Sequence, residues 1–278
     1  MIGAAAASRT VIRPGRGALR LSPRELWGYR ELLYFMVWRD AKVRYRQTVL
    51  GALWSVVQPL ATMVVFSVVF GKYAGVPSDG IPYPIFSFAA LVPWTYFSTA
   101  LASSANSLVG SQQLISKVYF PRVLVPAGAV LTPLIDFGIA FLILVAMLIG
   151  YGGAPSAGAL ACVPLFVLLA LLTALAAGLW FSALNVEYRD VRVVLPFVMQ
   201  FWMFATPVAY PASLFPDRWR PLYGLNPMST VVEGMRWSMF GTPAPGAMSL
   251  LSAAVVAAAL WGGIAYFRRM EGTFADVI

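Results

Sequence analysis

The 278-residue chain contains no histidine and only one cysteine. Without imidazole it lacks the side chain most often used for general acid–base catalysis and the commonest metal ligand. The single thiol, Cys162, excludes disulfide bonds within the chain and metal sites made of several cysteines. Charged residues are also scarce, at 11% of the sequence against about 25% in a typical soluble domain. These absences remove the commonest catalytic chemistries and argue against a soluble protein.

Motifs for nucleotide and sugar chemistry are missing as well. No segment matches G-x-x-x-x-G-K-[ST], and the segment Gly71-Lys72-Tyr73 lacks both the upstream glycine and the hydroxyl of that motif. The chain therefore cannot bind ATP through a P-loop. Asp136 is the only carboxylate well inside a regular apolar run, so paired carboxylates for glycosyl chemistry are not evident within the membrane. The sequence predicts neither a catalytic residue nor a cofactor in this chain.

What the chain has in abundance is apolar sequence. It is 60% hydrophobic with a mean hydropathy of +0.76, and its runs reach the roughly 20 residues that a helix needs to cross a bilayer. We predict an all-α polytopic membrane protein with six transmembrane helices, at about 49–71, 85–108, 123–150, 160–184, 193–210 and 247–267. Residues 1–21 are predicted to form a disordered basic cytoplasmic tail, and residues 268–278 a second cytoplasmic tail.

A cationic and aromatic segment precedes the first span. Residues 22–48 begin with Ser-Pro-Arg-Glu, a helix-start pattern. On a helical wheel of 31–46, aromatic and aliphatic side chains share one face, and Arg39, Lys42 and Arg46 form a stripe beside it. This pattern predicts an amphipathic helix in the membrane interface, anchored by Trp38 and Tyr45, with its cations toward water.

The stretch 211–246 is rich in proline, glycine and aromatic residues. Asn226-Pro227 predicts a helix start, and a helix over 227–240 covers only about 20 Å at 1.5 Å per residue. That length cannot cross a hydrocarbon core of about 30 Å. We therefore expect a re-entrant pair of short helices between spans five and six. Asn226, Pro227, Glu233 and Arg236 are its candidate outer-gate residues.

The distribution of cations predicts the orientation. Of the 20 lysines and arginines, ten precede the first span, and six lie within 110–122, within 185–192 or after the last span. The other four are Lys72, Arg218, Arg220 and Arg236. Because cytoplasmic segments carry the excess of lysine and arginine, both termini are predicted to be cytoplasmic. The net charge of +9 lies beside the spans, which indicates anionic lipid and not nucleic acid as the partner.

Two features within the spans have open interpretations. Asp136 is either part of a transport pathway or a hydrogen-bonding partner of a neighbouring helix, and the second is favoured because one isolated acid makes a poor relay. Aromatic side chains cluster in spans two and five and either stack against sugars along a path or pack against lipid. The candidate path residues are Trp94, Tyr96, Phe97, Phe197, Gln200, Phe201 and Phe204.

Five segments, in chain order, resemble the permease (membrane subunit) of type-2 ABC exporters. They are WRDAKVRYRQTVLGALWSVVQPL (38–60), LVPWTYFSTALASSANSLVG (91–110), ISKVYFPR (115–122), LNVEYRDVR (184–192) and LNPMSTVVEGMRW (225–237). The resemblance runs from about residue 24 to the C-terminus. It is strongest to the branch that exports lipid-linked polysaccharides such as O antigen, capsule and teichoic acid.

The resemblance implies a homodimer in a bacterial inner or plasma membrane, bound to two copies of a cytoplasmic ATPase that holds ATP and Mg²⁺. The chain itself would be a channel-forming subunit and not an enzyme. Its ATPase-facing residues would be Arg39, Lys42, Arg46, Lys117, Arg122, Glu187, Arg189 and Asp190. Two alternatives remain open: a type-2 exporter of small drugs or lipids, and, with less support, a membrane-embedded sugar-lipid transferase.

Overall fold

The computed structural model describes residues 27–46, 53–118, 120–154, 157–272 and 274. The predicted N-terminal tail and the predicted helix start at 22–25 lie outside the described residues. Every longer regular element in the described ranges is helical. The helices are α1 (Arg30–Arg46), α2 (Leu53–Phe66, continued as a π-helix over Ser67–Tyr73), α3 (Tyr83–Gly110), α4 (Gln112–Lys117), α5 (Leu124–Leu131), α6 (Leu134–Gly150), α7 (Ala157–Leu160), α8 (Val163–Glu187), α9 (Val191–Ala205), α10 (Arg220–Gly224), α11 (Pro227–Phe240) and α12 (Met248–Glu271).

Within the described residues, five helical stretches are long and apolar enough to cross a membrane. They are Trp54–Tyr73, Tyr83–Gly110, Leu124–Gly150, Gly158–Glu187 and Met248–Glu271. They coincide with predicted spans one, two, three, four and six. The protein is therefore a helical membrane protein with several apolar spans, as the composition predicted.

The predicted fifth span is shorter in the structure than in the sequence prediction. Helix α9 has 15 residues and ends at Ala205, so it covers about 22 Å at 1.5 Å per residue. Thr206 has extended backbone angles (φ −99°, ψ 138°), because the ring of Pro207 disfavours the helical conformation in the residue before it. The helix therefore does not continue to residue 210 as predicted, and the six-span architecture is not confirmed.

Helix α3 is the centre of the packing. Most of its side chains are buried, and α8 lies closely against it. Gly178 of α8 allows this approach, since a Cβ atom there would lie 2.3 Å from the Ser104 hydroxyl oxygen. Small residues at helix crossings are the usual way in which membrane helices reach such short distances.

Helix α11 matches its prediction in both bounds, Pro227–Phe240. The Asn226 side chain accepts a hydrogen bond from the Met228 backbone N–H, and Gly241 ends the helix with a left-handed backbone (φ 71°). Eleven of its 14 side chains are buried, packed against α3 and α8. Its close fit to α8 depends on Gly234, where a Cβ atom would lie 2.3 Å from the Phe166 ring. This short helix is enclosed by protein, the setting in which interrupted helices are tolerated at membrane depth.

The third span is interrupted between α5 and α6, at Thr132 and Pro133. Pro133 has no backbone N–H and cannot continue the helical hydrogen bonding. Helix α1 lies along α5, where Gly128 presents its backbone to Met36 and Leu33. This contact fixes the N-terminal helix against the first half of the broken span.

Candidate functional site

The predicted cationic stripe on α1 is exposed. Arg39 forms an ion pair with its neighbour Asp40 (2.8 Å), and the Lys42 ammonium lies 4.4 Å from the centre of the Trp38 ring. Arg46 is exposed as well. Both contacts leave the stripe accessible, because surface pairs of this kind hold side chains only weakly.

The opposite side of α1 differs from its prediction. Met36 and Ala41 are the buried residues of the helix, whereas Trp38 is half exposed. Tyr45, predicted as an interface anchor, instead donates a hydrogen bond to Asp136. The helix therefore faces the protein with fewer of its apolar side chains than the helical wheel predicts.

The segments that carry the other predicted ATPase-facing residues meet at one end of the bundle. A single hydrophobic cluster joins α1, α4, Phe120, the end of α8 and the end of α12; its buried members include Met36, Ile115, Phe120, Val186 and Phe267. Lys117, Glu187, Arg189 and Asp190 follow Ile115 and Val186 of this cluster closely in the chain and are exposed.

Arg122 is the exception in that group. Its guanidinium donates to the backbone carbonyl of Glu271, and its backbone N–H lies 3.3 Å from the Glu271 carboxylate. Arg122 therefore fastens the start of the third span to the end of α12, and it is half-buried and not freely exposed.

The structure separates the two groups of candidate path aromatics. Trp94, Tyr96 and Phe97 are 5%, 3% and 0% exposed and belong to the core around α3. Phe97 packs edge to face against Trp202 of α9, with ring centres 4.8 Å apart. The sequence prediction placed all three on a path; in the structure Trp94 and Phe97 are core side chains, and Tyr96 lines a cavity between α2, α3 and α6.

Phe197, Phe201 and Phe204 lie on the outside of the chain instead. They are 60%, 75% and 51% exposed, and Gln200 between them is exposed too. A row of three rings and an amide on one helix face is the arrangement that the sequence predicted for α9.

The candidate gate residues form two networks, a partly buried one around Asn226 and one around the buried Arg236. Asn226 caps α11, accepts a hydrogen bond from the Trp202 indole (2.9 Å) and donates to the Thr206 hydroxyl (2.9 Å). One side chain thereby fixes the end of α9 to the start of α11. Pro227 is buried in the first turn of α11, where a missing N–H carries no penalty.

Arg236 is the largest fully buried side chain of the described residues, at 1% exposure. It pairs with Glu233 (3.0 Å), donates to the Val208 carbonyl (2.9 Å) and lies over the Phe86 ring at 3.6 Å. The guanidinium therefore ties α11 to α3 and to the turn after α9.

Asp136 has two partners that the sequence analysis did not identify. Arg44 lies 2.6 Å from one carboxylate oxygen, and the Tyr45 hydroxyl donates to the other at 2.5 Å. Burial and the hydrogen bond to Asp136 raise the pKa of Tyr45 well above its ordinary value. The favoured interpretation of Asp136, a bond to a neighbouring helix, is confirmed. The sequence contained a signal for the Arg44 contact. An acid within a span needs a nearby cation, and Arg44 is a cation near the first span that the predicted stripe does not include.

A cavity of about 620 Å³ lies beside this cluster, between α2, α3 and α6. Arg44, Tyr45 and Asp136 line it together with Gln58, Thr95 and Thr99. Within the described ranges, no group of three or more cysteine, aspartate or glutamate side chains is placed to hold a metal ion.

Several apolar helices, joined by hydrogen bonds and ion pairs between them, define a helical membrane protein. The comparisons with known proteins specify which kind. The ABC-2 type transporter family matches residues 31–240, so the chain belongs to that family.

Similar proteins with assigned names include permeases and transport proteins for polysaccharides. The chain is 32% identical to the O-antigen export system permease protein RfbA of Myxococcus xanthus, over 92% of this chain and 98% of that protein. It is 26% identical to the protein of the same name from Klebsiella pneumoniae, over 89% of this chain and 95% of the relative. It is 23% identical to the polysialic acid transport protein KpsM of Escherichia coli, over 84% of this chain and 91% of the relative.

Proposed function

We propose that this chain is the channel-forming permease of an ATP-driven exporter that moves a lipid-linked polysaccharide from the cytoplasm across the inner membrane. The single observation that carries the proposal is the near full-length similarity to a permease named for O-antigen export. O antigen, or a capsule-like polymer, is accordingly the proposed cargo.

ATP hydrolysis is assigned to a separate subunit. The chain has no P-loop, and its membership in the ABC-2 type transporter family supports a partner that binds ATP and Mg²⁺. We place two such ATPases against the exposed cations and acids of α1, α4 and residues 187–190. The hydrophobic cluster beneath those residues holds the segments together, so a force on any of them reaches the spans.

The path is placed between two copies of the chain. The described core around α3 is filled by packed side chains, so the proposed path does not run through it, and the exposed row Phe197, Phe201 and Phe204 is placed against a second copy. Facing a second copy, the rings would present flat apolar surfaces to sugars while binding weakly enough for the polymer to move on. The buried aromatics of α3 support this row from behind through the Phe97–Trp202 contact.

The proposal also covers the orientation of the chain in the membrane and the position of the outer gate. Both termini are placed in the cytoplasm, α9 with the following turn is treated as the fifth span, and α10 and α11 form a re-entrant unit at the outer end. The enclosed position of α11 and the Asn226 and Arg236 networks support this placement.

Deletion of the gene in its own bacterium, with the polymer located by cell fractionation, tests the proposal. Loss of surface polysaccharide with accumulation of lipid-linked polymer inside the cell is expected. Loss of the polymer from every fraction would point to the transferase alternative, since synthesis would then depend on this chain. Unchanged surface polymer together with sensitivity to small toxic compounds would support the drug or lipid exporter.

A further inference from the structure

The cluster of Arg44, Tyr45 and Asp136 joins two helices that are distant in the sequence. Arg44 and Tyr45 are in the last turn of α1, and Asp136 is in the first turn of α6. The two bonds to Asp136 span 92 and 91 residues of sequence. We refer to these three residues as the Asp136 joint.

Helix electrostatics reinforce this joint. A cation at the C-terminal end of one helix and an anion at the N-terminal end of another each interact favourably with the helix dipole. The side chains of Arg44 and Asp136 are 33% and 17% exposed, so water screens their attraction less than it screens a surface pair. Charge-assisted hydrogen bonds of this kind are stronger than neutral ones.

The position of the joint matters because it follows the break in the third span. Asp136 comes three residues after Pro133, on the α6 side of the interruption. On the α5 side, α1 is already fixed by the contact of Met36 and Leu33 with Gly128. Helix α1 therefore contacts both halves of the interrupted third span, α5 through Met36 and Leu33 and α6 through the Asp136 joint.

We propose that the Asp136 joint makes α1 and the outer half of the third span, α6, move as one body when the ATPases act on α1. The inference depends on the proposed function only in naming the ATPase as the source of that movement. Arg44, Tyr45 and Asp136 are positioning residues in this account, and none of them needs to touch the polymer.

The test uses the full-length permease with its ATPase, in a background where Cys162 is replaced by serine. Asp136→Asn and Tyr45→Phe weaken the joint, and the double exchange Arg44→Asp with Asp136→Arg restores the ion pair in reverse. Lys72→Gln and Tyr151→Phe remove a charge and a hydroxyl from exposed residues elsewhere and are the matched controls.

Two readouts separate coupling from mere folding. The first is the amount of polymer exported per ATP hydrolysed, which should fall severalfold in Asp136→Asn and less in Tyr45→Phe, while the controls remain at the level of the unmodified protein. The double exchange should recover part of the loss, since the helix dipoles now oppose the reversed charges.

The second readout is the distance between spin labels at Val43 of α1 and Leu142 of α6, both exposed positions. With the joint intact, one narrow distance should persist in the nucleotide-free and ATP-trapped states. In Asp136→Asn the distribution should broaden and differ between the two states.

Several outcomes would overturn the inference. One is an unchanged export-to-ATP ratio with unchanged label distances in both weakened variants. Another is a loss of assembled complex while the remaining complex exports normally per ATP, which would make the cluster a folding contact only. If the unmodified complex neither binds an ATPase nor exports, the proposed function fails, but the label distances in the permease alone still decide whether the joint exists.

Discussion

Phe197, Phe201 and Phe204 differ from the other aromatics of the spans because they face outward. Inside α3, rings serve as packing, and the sequence alone could not separate the two roles because both helices are aromatic on several faces. The exposed fraction of each side chain distinguishes the two roles: Phe201 is 75% exposed and is not a core residue. Substitution of single side chains can therefore distinguish rings that contact polymer from rings that contact lipid.

Replacing Phe201 and Phe204 together by leucine addresses that question. Leucine keeps apolar bulk and removes the flat ring, so polymer export should fall severalfold while assembly with the ATPase and ATP hydrolysis persist. The matched control is Trp261→Leu, which removes an exposed ring from α12. Full export in the double variant would show that these rings only pack against lipid or protein.

Arg236 makes a prediction about stability. Replacement by methionine leaves Glu233 without its partner and the Val208 carbonyl without its donor, so the free energy of unfolding should fall by about 3 kcal/mol, the order found when a buried pair loses one member. Arg236→Lys keeps the charge but not the forked geometry and should lie in between. Thermal unfolding in detergent measures both, with Arg218→Met, an exposed arginine, as the control.

A result in which Arg236→Met melts at the same temperature as Arg218→Met would contradict this account of the outer network. The ion pair and the ring contact would then contribute nothing that a methionine side chain cannot replace by packing.

At the scale of elements, α11 and α9 show where sequence reasoning succeeds and where it stops. The bounds of α11 were predictable because Asn-Pro and Gly are local signals that act within one turn. The end of α9 was predictable in principle from Pro207, but apolar content beyond it favoured a longer span. An acid within a span indicates that a cation lies nearby, but sequence spacing could not show that Arg44 and Tyr45 are the partners of Asp136, because α1 and α6 meet only through tertiary packing.

The exposed cationic stripe on helix α1 is predicted to bind the ATPase. Reversing Arg39 and Arg46 to glutamate should weaken co-purification of the ATPase or lower the ATP hydrolysis that accompanies export, because two of the exposed cations of the proposed docking surface change sign. Lys72→Glu, at a residue predicted to lie on the opposite side of the membrane, is the control. Unchanged assembly and unchanged export would leave α1 with a lipid-anchoring role only.

For the whole molecule, the topology depends on whether α9 and the turn after it cross the membrane. The charge distribution predicts that residues 188 and 116 are cytoplasmic and that the segment after α11 is outside. Cysteines at Tyr188, Ser116 and Ala244, all exposed positions, test this in a Cys162→Ser background with a membrane-impermeant thiol reagent.

Only Ala244→Cys should react in intact cells. Reaction at Ser116→Cys from outside would reverse the predicted orientation. Protection of Ala244→Cys, with Tyr188→Cys also protected, would place both ends of α9 on the cytoplasmic side and support five spans.

This chain alone shows the ABC-2 type transporter family and the helical membrane architecture. The cargo and the energy source are properties of the assembled exporter. The proposal joins them through the family, because membership in an ABC transporter family implies a partner that hydrolyses ATP. That dependence separates an active exporter from a passive pore and from a membrane enzyme.

The most direct measurement of this claim uses inside-out vesicles containing the permease and its ATPase, with lipid-linked polymer supplied on the outer surface. The account predicts that polymer becomes protected from added glycosidase only when ATP is hydrolysed, and that ATPase alone, permease alone or a non-hydrolysable ATP analogue gives no protection. Protection without ATP, or none despite ATP hydrolysis by the assembled complex, would contradict it.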